Sequence, residues 1–333
     1  MSPPRPGRGD QASPRRPLTL LGLGRVPADL GPTVVTIGVF DGVHRGHRAL
    51  LDRVVREAAA RRIAPGAITF DRHPMEVLRP GSRPRMLSTL RQRIELLGAA
   101  GMEFVLVLPF TQRLSRMRAE EFAVKVLLEA VSARAIVVGA NFRFGHRAAG
   151  DPELLSRLAQ PRGVDVIAVP LDAEGDEAIS STRIRAALAA GDVATAARLL
   201  GRPFAVSGQV VLGDQRGRLL GVPTANLRVP SRLALPAKGI YAGHLRTRDS
   251  GLMPAVSNVG VNPQFGGVDL HVEAHVLDFD GDLYGQRVSV SFEHRLRDEA
   301  TFPDVAALVA QMREDIRQTR RLLGVPAPGE RAT

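Results

Sequence analysis

The sequence predicts an α/β domain built on a parallel sheet, followed by a small antiparallel β-barrel or sandwich with a C-terminal helix. Three observations carry this. From Thr33 to about Gly201, short β-branched apolar runs alternate with stretches of helical periodicity, as in strands joined by crossover helices. After Gly201-Arg202-Pro203-Phe204 the period becomes two, and strand-like runs follow one another with Gly, Asp and Asn turns between them. From Phe302 to Leu323, Val305, Leu308, Met312, Ile316 and Leu323 restore an apolar stripe at helical spacing. The 333 residues suffice for two cores. The expected division is 1–32, a disordered basic arm; 33–201, the α/β domain; 202–325, the barrel and its helix; and 326–333, a tail.

In the first domain the expected strands are Thr33–Phe40, Ala67–Phe70, Phe104–Leu108, Ala135–Val138 and Val164–Val169. Helices are expected at Arg48–Arg62, Ser88–Ala99, Ala119–Val131 and Pro152–Leu158. In the second, alternation places strands at Ala205–Leu212, Ile240–Arg246, Met253–Val259, Val268–Phe279 and Arg287–Glu293. Parallel sheets bind ligands beyond the carboxyl ends of their strands, so the segments that leave those ends hold the candidate residues.

The first such segment is Gly38-Val39-Phe40-Asp41-Gly42-Val43-His44-Arg45-Gly46-His47. A strand, a glycine turn and a helix start offer free backbone N–H groups and a positive helix end to a phosphate. Gly42 and Gly46 permit close backbone approach. His44 and His47, three apart, would share a face and could donate to a phosphate under attack. A second segment, Gly139 to Gly145, brings Asn141, Phe142, Arg143 and Phe144 into one loop. Stacking on a planar ring and plugging the core are equally good readings of its two phenylalanines. A third, Ile179 to Arg185, carries Ser180, Ser181 and Thr182 at a helix start. Arg183 and Arg185 sit where the dipole disfavours cations, so an anion at that terminus would explain them. Asp71 and His73 end the second strand, where turn chemistry explains them as well as ligand contact does.

In the barrel, Gly221-Val222-Pro223-Thr224-Ala225-Asn226 places a hydroxyl and a carboxamide two residues apart. Both are hard oxygen donors suited to Mg²⁺ on a nucleotide, with Pro223 fixing the backbone before them. A plain turn is the other reading. In His271 to Val276, alternation puts Glu273 on one face with His271 and His275. That is either a solvated strand face or the setting of a general base for phosphoryl transfer.

Composition narrows the classes. No cysteine is present, which excludes disulfides and thiolate chemistry. No apolar run approaches the ~20 residues of a membrane span, and a cytoplasmic setting is expected. The net charge of +11 is almost all arginine, since lysine occurs only at Lys125 and Lys238. The arginines are scattered and aromatics make up 4%, so small anions are expected as partners rather than nucleic acid. A G-x-x-x-x-G-K-[ST] loop is absent.

Together, G-V-F-D-G-V-H-R-G-H, F-R-F-G, I-S-S-T-R-I-R, G-R-P, G-V-P-T-A-N-L, V-E-A-H-V-L-D-F and D-L-Y-G resemble the bacterial bifunctional riboflavin kinase/FMN adenylyltransferases, or FAD synthetases. The likeness runs from about Thr33 to Leu323. It implies a Rossmann-like nucleotidyltransferase domain of the H-x-G-H type and then a riboflavin kinase barrel. By the same resemblance, His44 and His47 contact ATP phosphates and stabilise the α-phosphorus, with Phe40, Asp41, Gly42 and Gly46 in the same phosphate-binding stretch. Ser181, Thr182 and Arg185 match a second phosphate-binding motif, and Asn141 to Phe144 match the loop at the flavin acceptor. Gly221, Pro223, Thr224 and Asn226 match the kinase nucleotide site, Thr224 and Asn226 being the Mg²⁺ ligands. Glu273 matches the residue that activates the riboflavin hydroxyl. Expected ligands are ATP as co-substrate, Mg²⁺, riboflavin, FMN and FAD, with no nucleic acid and no membrane. The chain departs from the family pattern at Arg72, Val261 and Gln264. The departures at Val261 and Gln264 motivate an alternative in which only the first domain is an enzyme and the barrel binds flavin. The H-R-G-H likeness to aminoacyl-tRNA synthetases motivates another, although no K-M-S-K-S loop accompanies it.

Overall fold

A computed structural model describes residues 16–170, 173–174, 177–213, 217, 220–261 and 270–326. The chain forms two compact units: 1–83 with 90–172, and 84–89 with 173–333.

In the first unit, six parallel strands form one sheet in the order β1-β4-β3-β2-β5-β6. They are β1 Leu18–Leu21, β2 Thr33–Ile37, β3 Ala64–Phe70, β4 Phe104–Leu108, β5 Ala133–Gly139 and β6 Asp165–Val169. Every residue of β2 and β4 is buried, as expected of strands covered on both faces. One face packs on α1 (Arg45–Arg61) and α3 (Leu90–Ala99) through Leu51, Val54 and Leu97. The other packs on α5 (Ala119–Phe122), the π-helical turn Ala123–Glu129 that continues it, and α6 (Pro152–Ala159). Short helices α2 (Met75–Leu78) and α4 (Gln112–Ser115) fill two connections. The chain runs from β2 to β3 and β4 on one side and to β5 and β6 on the other. The β2/β5 boundary is therefore the topological switch point, the usual crevice for a ligand.

One expectation needs correction. The arm assigned to 1–32 is not structureless throughout, because Leu18–Leu21 adds a parallel edge strand with Leu18 opposite Phe104. Leu20 is 4% exposed while Leu18 and Leu21 face outward. A single buried side chain leaves no periodicity to read. The first fifteen residues lie outside the described set.

The second unit begins with a two-strand hairpin, β7 (Ala173–Glu174) and β8 (Glu177–Ala178), followed by α7 (Ser181–Ala189) and α8 (Val193–Leu200). Its barrel strands are β9 Phe204–Val211, β10 Ala225–Arg228, β11 Gly239–Arg246, β12 Leu252–Val261, β13 Leu270–Val276 and β14 Arg287–Phe292. The order β12-β13-β10-β9-β14-β11 closes through a β11–β12 pairing, and β15 (His294–Arg297) adds to β11. Alternate residues of β9 and β14 point into a core that also takes Ile184, Leu188 and Leu199 from the two helices. Segment 173–200, assigned from sequence to the first domain, thus shares the barrel's core. The last helix, α9 (Val305–Leu323), is capped by the Asp304 side chain and tied to β15 by a bidentate Arg297–Asp315 pair. Gln264 lies outside the described residues, as does the side chain of Val261.

Candidate active sites

The turn after β2 holds its residues in backbone states that cost energy. Phe40 and Val43 have φ of 51° and 41°, and Gly42 has 76°. A β-branched residue there is a genuine outlier, and such strain gathers where a surrounding frame enforces a functional shape. Here Phe40, Asp41, Val43 and His44 are all at most 5% exposed, so packing fixes the turn. His44 caps α1 with an extended backbone. Its ring stacks on that of His47 at 3.7 Å between centroids, and Phe40 meets His47 edge-on at 5.2 Å. The face shared by the two histidines is therefore present, just beyond the end of a central strand. His47 Nδ1 is buried without a hydrogen-bond partner among the described residues.

Burial, then the neighbouring His44 and Arg93, hold the His47 imidazolium below its ordinary pKa of 6.5. At neutral pH this ring is an uncharged donor–acceptor. Because the unfolded chain binds that proton more readily, stability falls as pH drops through 6.5 and is retained above it. Thermal melts from pH 7.5 to 5.5 should show a declining midpoint, and the decline should shrink in His47→Gln. An equal decline in that variant would remove His47 as its source.

Sequence reasoning missed Arg93. On α3 it looks like one more solvated arginine, yet it is 1% exposed. Its Nη1 donates to the Phe70 carbonyl at 2.8 Å and to Thr69 Oγ1 at 3.3 Å. Burial lowers its pKa, while Asp41 and Asp71 act to raise it. A buried cation thus answers the buried Asp41. Removing one member of such a set leaves an uncompensated charge, which costs about 3–5 kcal/mol. Arg93→Met should lose about 3 kcal/mol in urea unfolding, and a loss under about 1 kcal/mol would show that Asp41 does not depend on it.

The Gly139–Gly145 loop leaves β5, the neighbour of β2, so it reaches the same switch point. Both phenylalanines pack on the core of the first unit. Phe144 is 6% exposed and lies against Phe122 and Gly150, whereas Phe142 stacks on it at 5.3 Å and is half-buried. Asn141 and Arg143 are exposed. Asp71 accepts from the Phe110 N–H and His73 Nδ1 from the Met75 N–H, so both have the turn roles open to them.

The third segment belongs to the second unit. Ser180 caps α7 by accepting from the Arg183 N–H. Arg183 pairs with Glu177 at 3.0 Å, and Arg185 Nε donates to the Arg85 carbonyl. The two arginines therefore have partners within the protein, and their position at the helix start does not of itself call for an anion. The Glu177 carboxylate satisfies Arg183 at the helix start, and a backbone oxygen serves Arg185. Ser181 is half-buried and Thr182 exposed.

In the barrel, Asn226 is not in a turn but in β10, with Thr224 just before it. Register places Asn226 and Asn258 on either side of Glu273, across β10-β13-β12. Residues in register share a face, so two carboxamides flank one carboxylate. Thr224, Asn258, Glu273, His275, Arg297 and Phe302 line a cleft of about 760 Å³ that extends to α9, a size that suits a small ligand. Asn258 Oδ1 is buried without a hydrogen-bond partner among the described residues. His275 Nδ1 lies 2.8 Å from the Pro223 carbonyl. Burial lowers the His275 pKa, so the ring is neutral, carries its proton on Nδ1 and donates it there. That bond anchors Pro223-Thr224 to β13. Asn258 was missed because only strand register brings it beside Glu273.

A phosphate-type turn with paired histidines on a parallel sheet, joined to a closed barrel bearing a carboxylate among amide and hydroxyl oxygens, defines a two-domain nucleotide-dependent transferase. The FAD synthetase family matches residues 26–183 and the riboflavin kinase family residues 200–323. The bifunctional riboflavin kinase/FMN adenylyltransferase of Escherichia coli K12 is 36% identical over 295 residues, covering 89% of this chain and 94% of that protein. The enzyme of the same description from Pseudomonas fluorescens is 38% identical over 290 residues, 87% and 92% of the two chains. A crystal structure described as a macrolide-efflux protein from Streptococcus pneumoniae superposes with a TM-score of 0.82 at 32% identity, over 91% of this chain and 99% of that one. The chain belongs to the bifunctional riboflavin kinase/FMN adenylyltransferase family.

Proposed function

We propose that this chain makes both flavin cofactors in sequence: its barrel phosphorylates riboflavin to FMN with ATP, and its α/β domain adenylylates FMN to FAD. Membership of the family over nearly the whole chain carries the reading. Residues 33–201 and 202–325 are the two functional domains, with the helices of 181–200 packed into the barrel's core.

In the kinase step Glu273 accepts the proton of the 5′-hydroxyl, whose oxygen bonds to the γ-phosphorus as ADP leaves. Thr224 and Asn226 would hold Mg²⁺; hard neutral oxygens beside a carboxylate and the orphaned Asn258 oxygen fit such an ion. The Gly221 and Pro223 turn receives the nucleotide. When bound, Mg²⁺ neutralises charge on the phosphates. In the adenylyl step an FMN phosphate oxygen attacks the α-phosphorus of ATP and pyrophosphate departs. His44 and His47 donate to the charge that develops on the α-phosphate, and the backbone of the Phe40–Gly46 turn holds the rest of the triphosphate. Asn141, Phe142, Arg143 and Phe144 border the flavin, and Ser181, Thr182 and Arg185 match the family's second phosphate-binding motif. Most of the rate comes from positioning and electrostatics. No described helix is long and apolar enough to cross a membrane, and we place the enzyme in the cytoplasm.

The direct test is a product assay with riboflavin, ATP and Mg²⁺, the flavins being separated by chromatography. FMN should appear first and FAD after it. FAD formed only from supplied FMN would reduce the barrel to a binding module. No product from either flavin would sink the reading.

A further inference from the structure

Glu273 has a neighbour on its own strand to which no role is yet assigned. His271 Nε2 lies 3.0 Å from Glu273 Oε1, both side chains being only partly exposed at 21% and 31%. No hydrogen bond from a described residue reaches Oε2. The two residues share the strand face opposite Val272, Ala274 and Val276, which are buried. Gly260 of β12 is opposite His271 in register, and the Glu299 carboxylate lies over that glycine, where a Cβ would meet its Oε1 at 2.4 Å. On the other flank β10 continues from Leu227 to the exposed Arg228. Among the described residues the charged groups around His271 are thus Glu273 and Glu299, with Arg228 at the margin.

We propose that His271 is a positioning residue for the kinase step: it ties down one oxygen of Glu273 and leaves the other to take the acceptor's proton. This rests on the reading of Glu273 as the base. A long carboxylate side chain at a cleft wall has several rotamers, and a fixed donor on one oxygen selects among them. Proton balance is simple: the hydroxyl O–H bond breaks, the proton goes to Glu273 Oε2, and the alkoxide oxygen bonds to phosphorus. The bond to Glu273 also raises the His271 pKa against the opposing effect of burial. While charged, the imidazolium opposes delivery of a further proton to its side of the cleft. Above pH 6.5, as the ring loses its own proton, Nε2–H still donates and that opposition ends. Phosphorylation should therefore quicken as His271 deprotonates.

The test uses full-length protein carrying His271→Ala, His271→Gln or Glu273→Gln. Riboflavin phosphorylation is followed across pH 6–9, and adenylylation of supplied FMN serves as the folding control. His271→Ala should lose at least about tenfold in kcat with KM for ATP unchanged. His271→Gln keeps an N–H donor, so it should recover most of the rate and lose the inflection above pH 6.5. Wild-type kcat in His271→Ala, or a wild-type inflection in His271→Gln, overturns the proposal. If His271→Ala also loses adenylylation, the glutamine variant alone decides. Retained phosphorylation in Glu273→Gln would instead overturn the base itself.

Discussion

Glu273→Gln should abolish FMN formation from riboflavin while FMN supplied directly is still converted to FAD. Glutamine keeps the volume and one carbonyl oxygen, so the strand pairing of β13 with β10 and β12 has no reason to change. What is lost is a site for the hydroxyl proton. General-base contributions run to about 10²–10⁴-fold, and kcat for phosphorylation should fall within that range with KM for ATP little altered. The flanking Asn226 and Asn258 cannot replace the base, since a neutral carboxamide does not accept a proton at these pH values. Chromatography of products from each flavin reads both halves of the result in one preparation. A Glu273→Gln protein that still phosphorylates riboflavin at close to the wild-type rate would leave Glu273 as a surface carboxylate.

The parts legible in the sequence are those set by neighbours along the chain. β2 is a five-residue buried run that starts at the expected Thr33, and α1 ends within one residue of the expected Arg62, but the strand stops and the helix starts three residues earlier than periodicity indicates. Barrel strands β9 and β14 alternate strictly because one face meets the core, and β11 does so except at the buried Ala242. Other parts depend on partners far away in the chain. Arg93 looks solvated until Phe70 and Thr69 arrive at the end of β3. Glu177 answers Arg183 only once the β7–β8 hairpin folds back. Asn258 joins Glu273 through the register of β12 on β13, which no local pattern encodes. The positive φ of Val43 is likewise invisible, for valine is nearly the last residue a propensity would place there. These misses sit mostly beneath or beside the candidate sites. There, local preference is overruled to shape a ligand surface.

His44→Ala should produce the opposite split: FMN accumulates from riboflavin and FAD formation falls by at least about 10²-fold. Two terms add. The α-phosphate loses a donor aimed at developing charge, and the His44–His47 stack at 3.7 Å loses a member, freeing the His47 ring to turn. Folding should suffer little by comparison, since His44 makes no side-chain capping bond to α1 and the helix retains its buried Leu51, Val54 and Ala58. Changes in KM for ATP separate the two terms. A pure loss of charge stabilisation lowers kcat at constant KM, whereas a misplaced His47 raises KM as well. His44→Asn, which keeps a donor but not the stack, should therefore recover part of kcat and none of the KM change. If His44→Ala instead depressed FMN and FAD formation alike while the thermal midpoint held, the two steps would not have separate active sites. The assignment of one chemistry to each domain would then fall.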